Sequence, residues 1–259
     1  MLIDFHAHIY PDKIAEKAAE NVGRFYQVHT CCDGKVSTLL ERGRLAGVDK
    51  FVVHSVAQTP AQVENINRFI SSVCQEYPET FIGFGALHRD TPHFADEIEK
   101  MIALGLKGLK LHPDIQLFDL DDPKMFELYE MLQGKLPLLL HCGDYRYSYS
   151  HPSRLARVLD NFPKLTVIAA HFGGWSIYDL ALEYLKDRKC YLDISSSIMY
   201  LGRRRSEELI RLYGAERMLY GTDYPMWDPV EELRRFDSLH LTNQEKELIL
   251  YQNALQILS

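Results

Sequence analysis

Short β-branched or apolar runs alternate with longer segments of helical period along the whole chain. This alternation is typical of a parallel sheet built from strand–helix–strand units. Eight of the runs have strand character: Leu2–His8, Lys50–Ala57, Phe81–Leu87, Leu106–His112, Pro137–Gly143, Leu165–Phe172, Cys190–Ser197 and Arg217–Asp223. Because no linker interrupts these repeats, they predict a closed (β/α)8 TIM barrel of the α/β class.

The helical segments fit the same fold. Amphipathic stretches such as Gln62–Tyr77 and Pro123–Leu132 have helix length and one apolar stripe. Two further segments, Lys13–Tyr26 and Ser37–Gly47, separate the first two strands and predict a helical insertion that covers the barrel mouth. An open doubly wound sheet is the alternative, but its phosphate-binding GxGxxG after the first strand is absent.

Length and composition indicate the number of domains and exclude some classes of partner. The chain has 259 residues, and single α/β barrels run to about 250, so we expect one domain over residues 1–259. With 29 basic against 36 acidic residues, the net charge of −7 argues against nucleic-acid binding. No apolar stretch approaches the ~18 residues of a membrane span, and the five cysteines form no CxxC pair. We therefore expect a cytoplasmic protein without membrane contact.

Histidines concentrate at the strand ends. Six of the eleven lie in the strand runs or at their carboxyl ends: His6, His8, His54, His112, His141 and His171. The carboxyl ends of barrel strands form the mouth where enzymes with this fold carry their reactive groups. For His54 we expect the role of a hydrogen-bonded histidine of the barrel layer, whereas the other five are candidates for a site.

The first strand supplies the clearest pair. Side chains two apart on a strand share a face, so His6, His8 and Asp4 should point together into the barrel, with Phe5 and Ala7 packed outward. Inside, two imidazoles can share a cation at ~2.0–2.1 Å. A hydrogen-bonded pair without a metal is the alternative.

Three further residues complete the candidate site. His141 and His171 each close a buried apolar strand, and Asp223 follows the last one. Alone, each histidine is typical of a satisfied polar strand end, and Asp223 of a turn aspartate. Together they provide what hydrolysis at neutral pH requires, namely a metal site with a carboxylate beside it. Cys142 should point away from this site by strand alternation, which argues against a cysteine nucleophile.

These residues resemble a known family. His6-Ala7-His8, His141, His171 and Gly221-Thr222-Asp223 are similar to the metal site of the amidohydrolase superfamily, and the likeness covers the whole chain. Further segments resemble the amidohydrolase-related branch that contains aminocarboxymuconate-semialdehyde decarboxylase: Asp4–His8, Gly108–Pro113, Ala170–Gly174 and Asn253–Leu258.

The resemblance implies a ligand set and roles. His6, His8, His141 and Asp223 would bind one divalent ion, usually zinc, with His171 nearby as acid, base or electrophile. Some relatives hold a second metal through a carbamylated lysine, for which Lys110 is the only candidate. One metal is usual in this branch, so we interpret Lys110 as a cation of the pocket or a structural residue, with a two-metal site as the alternative.

The leading functional prediction is metal-assisted hydrolysis of a small carboxylated or cyclic substrate, with Asp223 taking the proton of an activated water. The alternative is non-oxidative decarboxylation of an unsaturated or aromatic acid. A non-catalytic binding barrel is the third hypothesis. The residues expected to contact a small, anionic substrate are Lys110, His112, Tyr145, Arg146 and Trp175. Nothing in the sequence fixes the oligomeric state, and a homodimer is left open.

Overall fold

The computed structural model describes residues 1–259. Its eight strands form one parallel sheet in chain order: β1 (Ile3–His8), β2 (Lys50–His54), β3 (Phe81–Ala86), β4 (Gly108–Leu111), β5 (Leu138–Leu140), β6 (Val167–Ala169), β7 (Tyr191–Asp193) and β8 (Met218–Leu219). The segment from β8 onward returns to β1 through hydrogen bonds from Phe5 N to Tyr220 O (2.9 Å) and from Asp223 N to His6 O (2.8 Å). The predicted TIM barrel is confirmed.

Most strands are shorter than predicted because their last residues leave the sheet at the mouth. His171 and Asp223 have φ angles of 59° and 60°. A residue with this left-handed backbone cannot continue a strand. The chain therefore turns where the candidate site residues begin.

Helices separate consecutive strands. They are α1 (Asp12–Tyr26), α2 (Val36–Ala46), α3 (Val63–Glu76), α4 (Phe94–Ala103), α5 (Pro113–Gln116), α6 (Pro123–Leu132), α7 (Pro152–Asn161), α8 (Tyr178–Leu185), α9 (Ile198–Tyr213), α10 (Pro229–Asp237), α11 (Asn243–Glu247) and α12 (Asn253–Leu258). Short 3-10 segments occur at Pro60–Gln62, His171–Gly173 and Ala215–Arg217, and a π segment at Leu248–Gln252. None of the helices has both the length and the apolar character required to cross a bilayer.

The core has two layers. A large cluster lies between the strands and the surrounding helices, and a smaller one fills the barrel: Ile3, Phe5, Val52, Phe84, Leu139, Ile168, Ala170, Leu219 and Ala254. The last of these belongs to α12, which packs against the barrel core. Cys142 lies in the outer cluster, as strand alternation predicts.

The first strand differs from the predicted pattern. Phe5 belongs to the inner cluster rather than the helix layer, and Asp4 receives hydrogen bonds from Thr222 instead of joining His6 and His8 in a cavity. The cause is a shift in strand register between Asp4 and Ala7. Such an irregularity breaks the strict alternation of faces. His6 and His8 still point toward the mouth, while Ala7 packs outward as predicted.

Candidate active site

A cavity of about 370 Å³ opens at the carboxyl ends of the strands. Seven of the residues predicted for the site line it: His6, His8, Lys110, His112, His141, His171 and Asp223. The outer wall is formed mainly by α1 and α3, whose side chains Ile14, Asn21, Val22, Ile66 and Phe69 face the same space. Helix α1, the first of the two inserted helices, therefore covers part of the barrel mouth.

Three predicted metal ligands converge at the base of this cavity. The Nε2 atoms of His6 and His8 are 3.3 Å apart, and they lie 3.3 Å and 3.4 Å from Oδ1 of Asp223. Tetrahedral ligands at ~2.1 Å from one ion are separated by about 3.4 Å. The spacing of the three atoms fits a single divalent ion.

Hydrogen bonding supports the same conclusion. Nδ1 of His6 lies 2.8 Å from Oδ2 of Asp193, so His6 carries its proton there and presents a lone pair at Nε2. An ionised Asp223 has only acceptor oxygens. Two acceptors that face each other at 3.3 Å need a cation or a proton nearby. The ammonium of Lys110 lies beside one of them, and the nitrogen and oxygen donors also suit a divalent metal.

Asp193 at the end of β7 is a functional candidate that the sequence did not reveal. Besides His6, it accepts hydrogen bonds from the backbone N–H of His171 (3.0 Å) and from Ser195 Oγ (2.5 Å). Burial opposes ionisation of Asp193, but the interaction with the His6 ring that hydrogen-bonds to it outweighs this effect and lowers the pKa of Asp193. The only sequence signal was a lone carboxylate in an apolar strand.

Asp223 is oriented by two hydrogen bonds in series. Trp227 Nε1 donates to Ser196 Oγ (2.7 Å), and Ser196 Oγ donates to Oδ2 of Asp223 (2.5 Å). This arrangement turns Oδ1 toward the histidines. Burial acts to raise the pKa of Asp223, yet the neighbouring His6 and His8 hold it well below its usual range. Asp223 is therefore anionic at neutral pH.

His141 and His171 form a second polar pair in the cavity wall. Nδ1 of His171 lies 3.0 Å from the carbonyl oxygen of Ser195, and Nε2 of His141 lies 3.0 Å from that of Gly143. A carbonyl accepts only, so each ring places a proton on that nitrogen. The remaining nitrogens, Nδ1 of His141 and Nε2 of His171, face each other at 3.1 Å. These two lone pairs require one shared proton or a cation.

Lys110 and His112 come from β4 and the residue that follows it. Lys110 is fully buried with Nζ 3.1 Å from Nε2 of His6, and burial lowers its pKa to about 8. His112 stacks on His141 with ring centroids 3.9 Å apart, and its Nε2 lies 2.6 Å from the hydroxyl of Tyr26. Tyr26 was not predicted, because it reaches the site from the inserted helix α1.

The structure does not bring Tyr145, Arg146 or Trp175 to the cavity lining. The guanidinium of Arg146 binds both carboxylate oxygens of Asp144 and the carbonyl of Phe25, and four aromatic rings surround it. It thus holds the loop after β5 against the end of α1. Tyr145 is 72% exposed, and Trp175 packs on the ring of Tyr26.

His54, predicted to be hydrogen-bonded, has no hydrogen-bond partner at either ring nitrogen although it is fully buried. The prediction of a satisfied histidine was wrong, because the neighbouring rings of His6 and His8 meet His54 edge to face and do not hydrogen-bond to its nitrogens. Burial lowers the pKa of His54 well below its ordinary value, so the ring is neutral.

The fold and the site define a TIM-barrel protein with a histidine-rich polar centre at its mouth. The family model described as Amidohydrolase matches residues 3–259. The chain belongs to this family, and it is an enzyme of the amidohydrolase superfamily. The resemblance seen in the sequence is confirmed.

Individual relatives give more detail. The 2-amino-3-carboxymuconate-6-semialdehyde decarboxylase of Dictyostelium discoideum is 26% identical, over 74% of this chain but only 65% of that protein, which is less than two thirds of its length. An uncharacterized TIM-barrel protein from Bordetella bronchiseptica has a TM-score of 0.78 at 22% identity, covering 99% of this chain and 98% of that one.

A dihydroxybenzoic acid decarboxylase from Polaromonas sp., solved with bound manganese and the inhibitor 2-nitroresorcinol, has a TM-score of 0.76 at 16% identity and covers 99% of this chain and 96% of its own. At such identities the structural likeness shows the shared fold. The two relatives above whose names state an activity are both decarboxylases.

Proposed function

We propose that this chain catalyses the metal-dependent, non-oxidative decarboxylation of a small carboxylated unsaturated or aromatic acid. The observation that carries the proposal is the pair His141 and His171, whose facing nitrogens at 3.1 Å can hold one proton in the cavity wall. Loss of carbon dioxide leaves an electron pair on carbon, and that carbon must then receive a proton. The named activities of relatives support the same reaction class.

The reaction balances without an oxidant. The bond between the substrate carbon and its carboxylate breaks, carbon dioxide departs, and a proton from His171 forms the new C–H bond. When Nδ1 of His141 binds the ion, the proton of this pair stays on Nε2 of His171, which takes up a replacement proton from solvent after each turnover. Such positioned proton transfer contributes roughly 10²–10⁴ to a rate.

Hydrolysis would instead need a base whose pKa lies near the working pH. Oδ2 of Asp223 accepts a hydrogen bond from Ser196, and Oδ1 lies against Nε2 of His6 and Nε2 of His8. Both oxygens are therefore engaged, which suits a permanent ligand better than a base that must take up a proton. This contrast favours decarboxylation over the hydrolysis predicted first.

For the ion, we propose a site formed by His6, His8 and Asp223, with His141 as a further ligand. When bound, the metal supplies electrophilic stabilisation of the substrate's developing negative charge. Zinc remains the prediction from the sequence, whereas the Polaromonas enzyme contains manganese. Imidazole and carboxylate ligands are compatible with either ion.

The cavity suggests the kind of substrate. Ten of its 24 lining residues are hydrophobic, and its cationic side chains are the buried Lys110 and the exposed Lys17 on α1. A cavity with apolar walls and a buried cationic side chain fits a small planar acid. We propose that a single domain, residues 1–259, carries this chemistry. A cytoplasmic location, a homodimer and the lack of nucleic-acid binding stay predictions from the sequence.

The test is to incubate the metal-loaded protein with a panel of carboxylated aromatic and unsaturated acids and to measure carbon dioxide. In D₂O, the product should carry deuterium at the carbon that lost its carboxylate. His171→Gln should reduce the rate by roughly 10² or more, and the exposed His93→Gln should not. Cleavage of lactones or amides without carbon dioxide release would overturn the proposal in favour of hydrolysis.

A further inference from the structure

The ring of His54 lies directly beside the proposed metal ligands. His54 ends β2 and pairs in strand register with His8. Its ring centroid is 4.4 Å from that of His8 and 5.0 Å from that of His6, with the ring planes nearly perpendicular to His8 at 86°. His6, His8 and His54 can each offer one ring nitrogen such that all three atoms lie within 4.8 Å of one another.

This position is costly for an unpaired imidazole. Neither nitrogen of His54 has a hydrogen-bond partner, and the residue is 0% exposed. A buried polar group without a partner is less favourable than an apolar side chain of similar shape. Nδ1 of His8, on the neighbouring strand, is also without a partner. A group that binds imidazole nitrogen would remove this cost.

Substrate cannot be that group. His54 is not among the residues that line the cavity, whereas His6 and His8 are. The ring therefore contacts His6 and His8 from outside the cavity. From there it could bind an ion at His6 and His8 without blocking the side of the ion that faces the substrate.

We propose that His54 is an additional ligand of the metal ion, beyond His6, His8, His141 and Asp223. This inference rests on the proposed metal-dependent function and deepens it. A neutral imidazole at this point adds one nitrogen to the coordination set and leaves the cavity-facing position free. The ion is then held more firmly than by the predicted set alone.

The first experiment measures metal affinity. His54→Leu removes both ring nitrogens and keeps an apolar side chain, and we expect it to bind Zn²⁺ and Mn²⁺ at least tenfold more weakly in competition with a chelator. The metal-free variant should unfold at the same or a higher temperature than the wild-type protein, while the increase in Tm on adding metal becomes smaller. The exposed His93→Leu is the control and should leave affinity unchanged.

The second experiment needs no variant to fold. In wild-type protein labelled with ¹⁵N-histidine, zinc loading should shift the ring-nitrogen signals of four imidazoles, those of His6, His8, His54 and His141. Three shifted rings, with the signals of His54 unchanged, would overturn the proposal. A wild-type protein that binds no stoichiometric metal would instead refute the proposed function itself, so the two failures are distinguishable.

Discussion

Asp193 Oδ2 lies 2.8 Å from Nδ1 of His6, across the barrel from β7 to β1, and both side chains are buried. The contact fixes which nitrogen of His6 carries the proton and turns Nε2 toward His8 and Asp223. Carboxylates in this position orient histidine ligands and increase their basicity. Asp193 is thus a positioning residue for the proposed ion.

Asp193→Asn should weaken metal binding by about 10–100-fold, because the amide no longer holds His6 in the required tautomer. The measurement is competition with a chelator, for zinc and manganese separately. Asp160→Asn, which breaks an exposed ion pair with Arg188, is the matched control and should have no effect on affinity. An unchanged affinity in Asp193→Asn would show that the contact serves only folding.

Replacement of Asp223 by Asn should lower the rate by ~10² or more while part of the metal binding remains, since the amide keeps one oxygen but loses the charge. Ser196→Ala removes the hydrogen bond to Oδ2 of Asp223 and should cause a smaller loss. Both effects are measured as kcat with saturating metal. Full activity in Asp223→Asn would remove this residue from the site.

Lys110 predicts a pH dependence of stability in the metal-free protein. Its pKa is lowered by burial from 10.5 to about 8. Between pH 8 and pH 10.5 the unfolded chain binds more protons than the folded one, so the free energy of unfolding rises with pH. Below pH 8 Lys110 is charged in both states, and the destabilisation caused by the buried charge is constant.

Lys110→Met should therefore be more stable than the wild type at pH 7, by up to about 3 kcal/mol, and the difference should shrink as pH rises toward 10. Urea unfolding of both metal-free proteins at several pH values measures it. The exposed Lys107→Met is the control. A difference that stays constant with pH would mean that Lys110 titrates normally.

The strand alternation and the histidine positions could be predicted from the sequence because both depend on local periodicity. Closure of the barrel then brings the carboxyl ends of the strands together, independently of the loop conformations. The orientation of Phe5 could not be predicted, since alternation assumes a regular ladder and β1 is irregular between Asp4 and Ala7. Helix α6 begins at Pro123 as predicted, because Asp122 caps it and proline fits its first turn.

Contacts made by loops and by the inserted helix could not be predicted from sequence patterns. Tyr26 meets His112 only because α1 lies over the mouth, and the packing of α1 depends on residues far away in the sequence. Asp193 was overlooked because a single carboxylate at a strand end is common. Arg146 was predicted to bind substrate from its charge alone, but charge gives no information on which partner is nearest.

Arg146 provides the last prediction. Its guanidinium contacts the fully buried Asp144 and the end of α1, so we expect Arg146→Lys to lose the paired hydrogen bonds and part of the stacking on Phe25. Leaving Asp144 poorly satisfied should destabilise the protein by about 1–3 kcal/mol, measured by urea unfolding, with metal affinity unchanged.

The control is Arg157→Lys, because Arg157 makes an ion pair with Asp121 while remaining largely exposed, and this change should alter stability by no more than about 0.5 kcal/mol. If Arg146 bound substrate directly, Arg146→Lys would instead raise KM at unchanged stability. Measuring KM and the free energy of unfolding on the same preparations separates the two roles. The guanidinium of Arg146 packs against the ring of Tyr26, which lines the cavity. If the role of Arg146 is structural, KM should therefore change only together with a loss of stability.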